Sequence, residues 1–157
     1  MFSSFLILEN VTNNLLHIPT VGMEKESLKQ NKNEREVILK KEVRDGILSY
    51  SKIKHPNEGI LILRGKSKKG TITIDGLVIP PFTYNGPTYS GFPHYLLPAD
   101  NSYVGIFHSH PSGSAKQSLT DQNNFWGLIS LIVKYPYNDD DIFAWDSNGN
   151  SVKLTII

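Results

Sequence analysis

Apolar positions along this chain change their period several times, and each change marks an element. Val37-Ile38-Leu39 is a short apolar run between charged neighbours, as a strand would be. Val43, Ile47 and Tyr50 then recur at helical spacing, and Pro56 closes that helix. Gly59 to Leu63 is continuously apolar, the pattern of a strand buried on both faces. Lys66 to Gly70 is polar and predicts a turn, and Thr71 to Ile79 alternates like a returning strand. Tyr103 to Phe107, with Val104 and Ile106 in alternation, predicts a further strand that Pro111 stops. Beyond it, Phe125, Leu128 and Ile129 predict a short helix, and Leu131-Ile132-Val133 a strand. Asn138 to Asp141 is a turn, after which Ile142–Trp145 pairs with Val152–Ile156 across Asn148-Gly149, a strong hairpin signal. The layout is α+β: a mixed, curved sheet flanked by helices.

Two stretches stand outside this pattern. Residues 1–34 form an expected N-terminal extension, because the part from Met23 onward is mostly Glu, Lys, Asn and Gln with few apolar anchors. Met23 is an alternative start of translation, and Phe2, Phe5, Leu6 and Leu8 are the residues with which the extension would dock. The main domain is expected over 35–157. Residues 80–93 carry Pro80, Pro81, Gly86, Pro87, Gly91 and Pro93 together with aromatics, which predicts a loop that touches something. His94 to Leu97 is expected as a short strand before the Tyr103 strand.

Composition narrows the chemistry more than the fold. A chain of 157 residues is long enough for one domain with a real core. Net charge is +1, so no strong field recruits nucleic acid or an acidic membrane. No apolar run reaches the length of a membrane-spanning helix, and the apolar opening Met1 to Leu8 lacks the basic start of a signal peptide. There is no cysteine, which excludes disulfides and thiol catalysis and limits any zinc site to nitrogen and oxygen ligands. A cytoplasmic enzyme fits these facts.

The informative stretch is 105–121, Gly-Ile-Phe-His-Ser-His-Pro-Ser-Gly-Ser-Ala-Lys-Gln-Ser-Leu-Thr-Asp. Side chains two apart on a strand share a face, so His108 and His110 point the same way while Ser109 faces away. With Asp121 they form a three-ligand set that leaves a metal one open position, as catalytic rather than structural zinc sites do. Ser118 and Asp121 also fit a helix capping box, with Asp in place of the usual Glu or Gln. The two readings are compatible, because a helix starting there projects Asp121 from its first turn. Lys116 and Gln117 are expected to be solvated.

His-x-His-Pro-x-Gly, then Ser118, then Asp121 three residues later, resembles the metal signature of the JAMM family, the catalytic MPN+ domains. The resemblance covers about residues 36–157 and is nearest in look to compact archaeal single-domain members. It implies a JAMM/MPN-type, cytidine-deaminase-like fold, with zinc held by His108, His110 and Asp121 and with Ser118 beside it as oxyanion donor. It also implies a Glu general base at the head of the apolar strand, matched here by Glu58. Many members carry a Gly three residues after that Glu, where this chain has Leu61 and places Gly59 directly after it. A carboxylate at that strand edge is expected to overhang the site without being buried.

The implied activity is a deubiquitinase- or desampylase-like zinc isopeptidase acting at the glycine tail of ubiquitin-like modifiers or their conjugates. A metal-free MPN scaffold that binds such modifiers is the alternative from another class, and a hydrolase of small sulfur-carrier proteins is a third. The modifier's tail is expected along the segment from the Pro- and Gly-rich loop to Leu97, with Tyr84, Tyr89, Phe92 and Tyr95 covering it. Neither the modifier nor the oligomeric state is written in the sequence.

Overall fold

A computed structural model describes residues 35–157. The expectations made for residues 1–34 lie outside the described residues. Strand β1 (Glu36–Leu39) leads into helix α1 (Lys41–Lys54), followed by β2 (Ile60–Lys68) and β3 (Thr71–Val78). Two short strands follow, β4 (Tyr84–Gly86) and β5 (Tyr89–Gly91), then a single 3-10 turn at His94–Leu96. Strand β6 (Tyr103–His110) carries the two histidines. Helix α2 (Leu119–Asn123) and strands β7 (Ile129–Lys134), β8 (Ile142–Trp145) and β9 (Ser151–Ile156) complete the chain.

The α+β expectation holds, and the curvature goes to completion. The sheet runs β1-β3-β2-β6-β7-β8-β9 and closes into a barrel through parallel pairing of β9 with β1. Val37 and Leu39, alternate residues of β1, are fully buried at this seam. Helix α1 lays Val43, Ile47, Leu48 and Ser51 against the same core, one stripe at helical spacing. Ser51 is tolerated there because its hydroxyl donates to Ile47 O at 2.8 Å. Tyr50 meets Phe107 of β6 edge-on, with ring centroids 6.3 Å apart.

Strand β6 lies in the middle of the sheet, antiparallel to β2 and parallel to β7. All its residues after Tyr103 are buried, as a strand covered on both faces requires. Gly105 is demanded by this crowding, since a Cβ there would lie 1.9 Å from Ile129 O. A second, smaller apolar cluster of Ile60, Ile62, Phe92 and Ile106 fills the face that β6 shares with His108.

Four local expectations are corrected. β2 extends to Lys68, and the turn is only Lys69-Gly70, both at positive φ (50° and 88°). Residues 80–93 are not all loop: β4 and β5 pair as a separate two-stranded hairpin. Gly86 and Gly91 weaken the strand pattern, and the rings of Tyr89 and Tyr84 occupy the space that their side chains would need. His94–Leu96 is a turn rather than a strand, because Leu96 and Leu97 N–H groups donate back to Pro93 and His94 carbonyls. The helix after Asp121 stops at Asn123, well before Phe125, Leu128 and Ile129. Gly127, at φ 87°, turns the chain tightly over Gly105, and Ile129 already belongs to β7. Among the described residues no helix is long and apolar enough to cross a membrane.

Candidate active site

Register builds the site. Ile60 of β2 stands opposite His108 of β6, and the pairing continues one step as Ser109 N–H donates to Gly59 O at 3.0 Å. This brings Glu58, fifty residues upstream, to the end of β6 where His110 lies. Ser109 faces away from the histidines, as its strand position dictates, and is fully buried. Its hydroxyl accepts the Gly59 N–H at 2.7 Å, so a side chain completes the ladder where the backbone pairing ends.

Beyond β6, Pro111 to Gln117 form a loop that turns at Gly113, whose φ of 77° suits glycine. Trp145 Nε1–H ties the loop down by donating to Ala115 O at 3.1 Å. Gln117 departs from expectation, since both polar atoms of its amide are buried. Helix α2 then opens with the complete capping box: Asp121 N–H donates to Ser118 Oγ at 3.1 Å, and Ser118 N–H donates to Asp121 Oδ2 at 2.7 Å. Ser118 itself is exposed, and its hydroxyl also acts on the Asp121 carboxylate, helping to lower that group.

The sequence-predicted residues come together. Asp121 Oδ2 lies 3.3 Å from His110 Nε2, and Asp121 Oδ1 lies 3.9 Å from His108 Nδ1. His110 Nδ1 meets the carbonyl of Ser114 at 3.0 Å. Glu58 is buried, 8% exposed, which corrects the expectation of an overhanging carboxylate. The hairpin explains the burial: Glu58 N–H donates to Gly86 O at 2.8 Å, and Ser90 Oγ donates to Glu58 Oε2 at 3.4 Å. Sequence reasoning missed Ser90, because a lone serine in a Pro- and Gly-rich stretch carries no spacing signal. It also left out His55, whose ring stacks on Tyr135 and whose Nδ1 stands 3.1 Å from Tyr137 Oη.

The electrostatics are those of one coupled cluster. Burial pushes Glu58 up to about 7; Asp121 adds to the rise, while His110 and the Ser90 hydroxyl oppose it. Burial also pulls His108 down to about 4, so it is neutral at pH 7. Burial acts against charge on His110 and Asp121 too, but their mutual hydrogen bond and charges win: His110 rises and Asp121 falls to about 2.

The donor set fits a divalent metal. Neutral His108 and ionised Asp121 are already in the protonation states that a metal requires, while His110, raised by Asp121, must give up a proton on binding. Two ligands about 2.0–2.1 Å from a tetrahedral ion stand about 3.3 Å apart, which is the His110–Asp121 separation. His108 Nε2 is buried with no hydrogen-bond partner, an atom that a metal bond would satisfy. Among the described residues no three such side chains already converge on one point: the His108 nitrogen 3.9 Å from Asp121 is Nδ1, so binding through Nε2 requires the His108 ring to reorient toward Asp121.

Comparison with known proteins agrees. The family described as prokaryotic homologs of the JAB domain matches residues 40–148. A probable metalloprotease of Haloferax volcanii is 33% identical, over 78% of this chain and 81% of that protein. The structure of a JAB1/MPN domain protein from Archaeoglobus fulgidus superposes with a TM-score of 0.59 at 28% identity, over 76% of this chain and 97% of that one. A structure described as JAMM, a metalloprotease-like zinc site in the proteasome and signalosome, superposes at 0.56 with 25% identity, over 80% and 99%. The chain belongs to the prokaryotic JAB-domain family. Within it, this protein is a metallopeptidase of the JAMM type.

Proposed function

We propose that this metallopeptidase cleaves the bond after the C-terminal glycine tail of ubiquitin-like modifiers, with zinc held by His108, His110 and Asp121. The observation that carries the reading is the meeting of Glu58 with the His–Asp cluster through the β2–β6 register. Zinc in that cluster would supply Lewis acidity and a water acidic enough to react at neutral pH. Glu58 is the base that takes the water's proton and returns it to the leaving amine. Its raised pKa suits both halves of that task. Ser118 donates its hydroxyl proton to the carbonyl oxygen as negative charge develops there.

The tail binds extended, and the hairpin is the place for it. The main sheet closes on itself, whereas β4 and β5 form a two-stranded sheet with outer edges. Tyr84, Tyr89 and Tyr95 are exposed around it and contact the modifier. Phe92 has another role, buried with Ile60, Ile62 and Ile106. The terminal glycines of the modifier are required because the tail passes close to the ligands.

The test is zinc-loaded protein incubated with fusions of ubiquitin-like modifiers. The native tail is cleaved, chelation stops the reaction, and bulky residues in place of the terminal glycines abolish it. Cleavage indifferent to both changes would sink the proposal.

A further inference from the structure

Ser90 is the one group at the site without a role so far. It lies on β5, 9% exposed, with Oγ 3.0 Å from His108 Nδ1 and 3.4 Å from Glu58 Oε2. It therefore touches both the expected ligand and the expected base. A serine hydroxyl has one proton to give. When that proton goes to the Glu58 carboxylate, the oxygen faces His108 only as an acceptor. His108 must then carry its own proton on Nδ1, which leaves Nε2 bare.

His110 is built to the same plan by a different part of the chain. Its Nδ1 meets a backbone carbonyl, that of Ser114, which can only accept. Its Nε2 is the nitrogen turned to Asp121. In both histidines Nδ1 is thus tied by an oxygen, and in His108 the other nitrogen is buried without a partner.

We propose that Ser90 is a positioning residue: it accepts from His108 Nδ1–H, donates to Glu58, and so fixes the tautomer that frees His108 Nε2 for the metal. This rests on the ligand assignment proposed above. It gives the hairpin a second task beside any contact with substrate, since β4–β5 then orders the metal centre through Ser90 and the base through Gly86. The competing arrangement has the metal on Nδ1, the His108 nitrogen 3.9 Å from Asp121, with Ser90 displaced from it.

Nitrogen-resolved NMR of the histidines in chelated, full-length protein separates the two. The parent shows His108 as the Nδ1–H tautomer, and Ser90→Ala mixes the tautomers. Zinc affinity, measured by competition with a chelator, falls about tenfold or more in Ser90→Ala, the usual cost of losing a group that orients a ligand. Ser90→Thr, which keeps the hydroxyl, restores both signals. A parent His108 protonated on Nε2 overturns the proposal without any variant. So does a Ser90→Ala protein with an unchanged spectrum and zinc affinity within about twofold of the parent. If the parent takes up no zinc, the ligand assignment fails, while the tautomer still decides the role of Ser90.

Discussion

Glu58 shows how one side chain sets function against stability. Its pKa in the folded chain, about 7, lies above the ordinary 4.5 because burial penalises the anion. A carboxyl raised in this way costs stability at pH values above 7, and the cost disappears as pH falls below 4.5. Glu58→Gln removes the anion. In chelated protein the variant should therefore be more stable than the parent at pH 8, by on the order of 1–3 kcal/mol, and equally stable at pH 4, as read by thermal unfolding. The same variant, loaded with metal, should lose about 10²–10⁴-fold in turnover because Gln cannot carry the proton. Equal turnover would remove Glu58 from the role of base. Ser109 makes the opposite case, a polar residue kept for the fold. Ser109→Ala strands the Gly59 N–H and should cost about 1–3 kcal/mol, read by denaturant unfolding. Ser109 was visible in the sequence only as a strand position, and Glu58 as the base that the family resemblance implies at the head of a strand. The burial of Glu58 was not, because Gly86 and Ser90 cover it from a segment that has no periodicity.

At the scale of elements, the sequence was legible wherever a period ran long enough. Helix α1 and strands β1, β3, β6, β8 and β9 follow the apolar pattern closely, and β2 does so over its apolar half. Errors fell where tertiary contact overrides local preference. The apolar residues Phe125 to Ile129 suggested a helix, yet Gly127 crosses close above Gly105 with a φ of 87°, which no right-handed helix adopts. Gly105→Ala tests the point: its Cβ would meet Ile129 O, so β6 and β7 must part. The expected result is a loss of about 1–3 kcal/mol of stability with metal uptake impaired as well. Wild-type stability would show that the two strands can separate freely. The hairpin β4–β5 escaped notice because each strand is three residues long and two of the six are glycine. The shared face of His108 and His110 and the capping box of Ser118 and Asp121 were legible, since a strand's period of two and a capping box are both local rules.

At the scale of the molecule, the barrel begins at Glu36 and closes on β9. All seven strands of that barrel lie within residues 36–156, and the part of the preceding segment from Met23 onward is mostly Glu, Lys, Asn and Gln. A chain lacking them should stay soluble, with an unchanged unfolding midpoint and full metal content. Insolubility would show instead that Phe2 to Leu8 pack on the domain. The β2–β6 register carries a consequence for the birth of the activity. On the proposed assignment the three ligands lie within one short stretch of chain, from His108 to Asp121. Glu58 reaches them only when two distant strands have paired in register. Long-range pairing forms later than local structure, because the chain entropy between the strands must first be overcome. A chain whose β2 and β6 have not paired lacks its base and is harmless to its surroundings, whatever ion it holds. Peptidase activity in this protein therefore certifies a finished fold, and metal content alone does not.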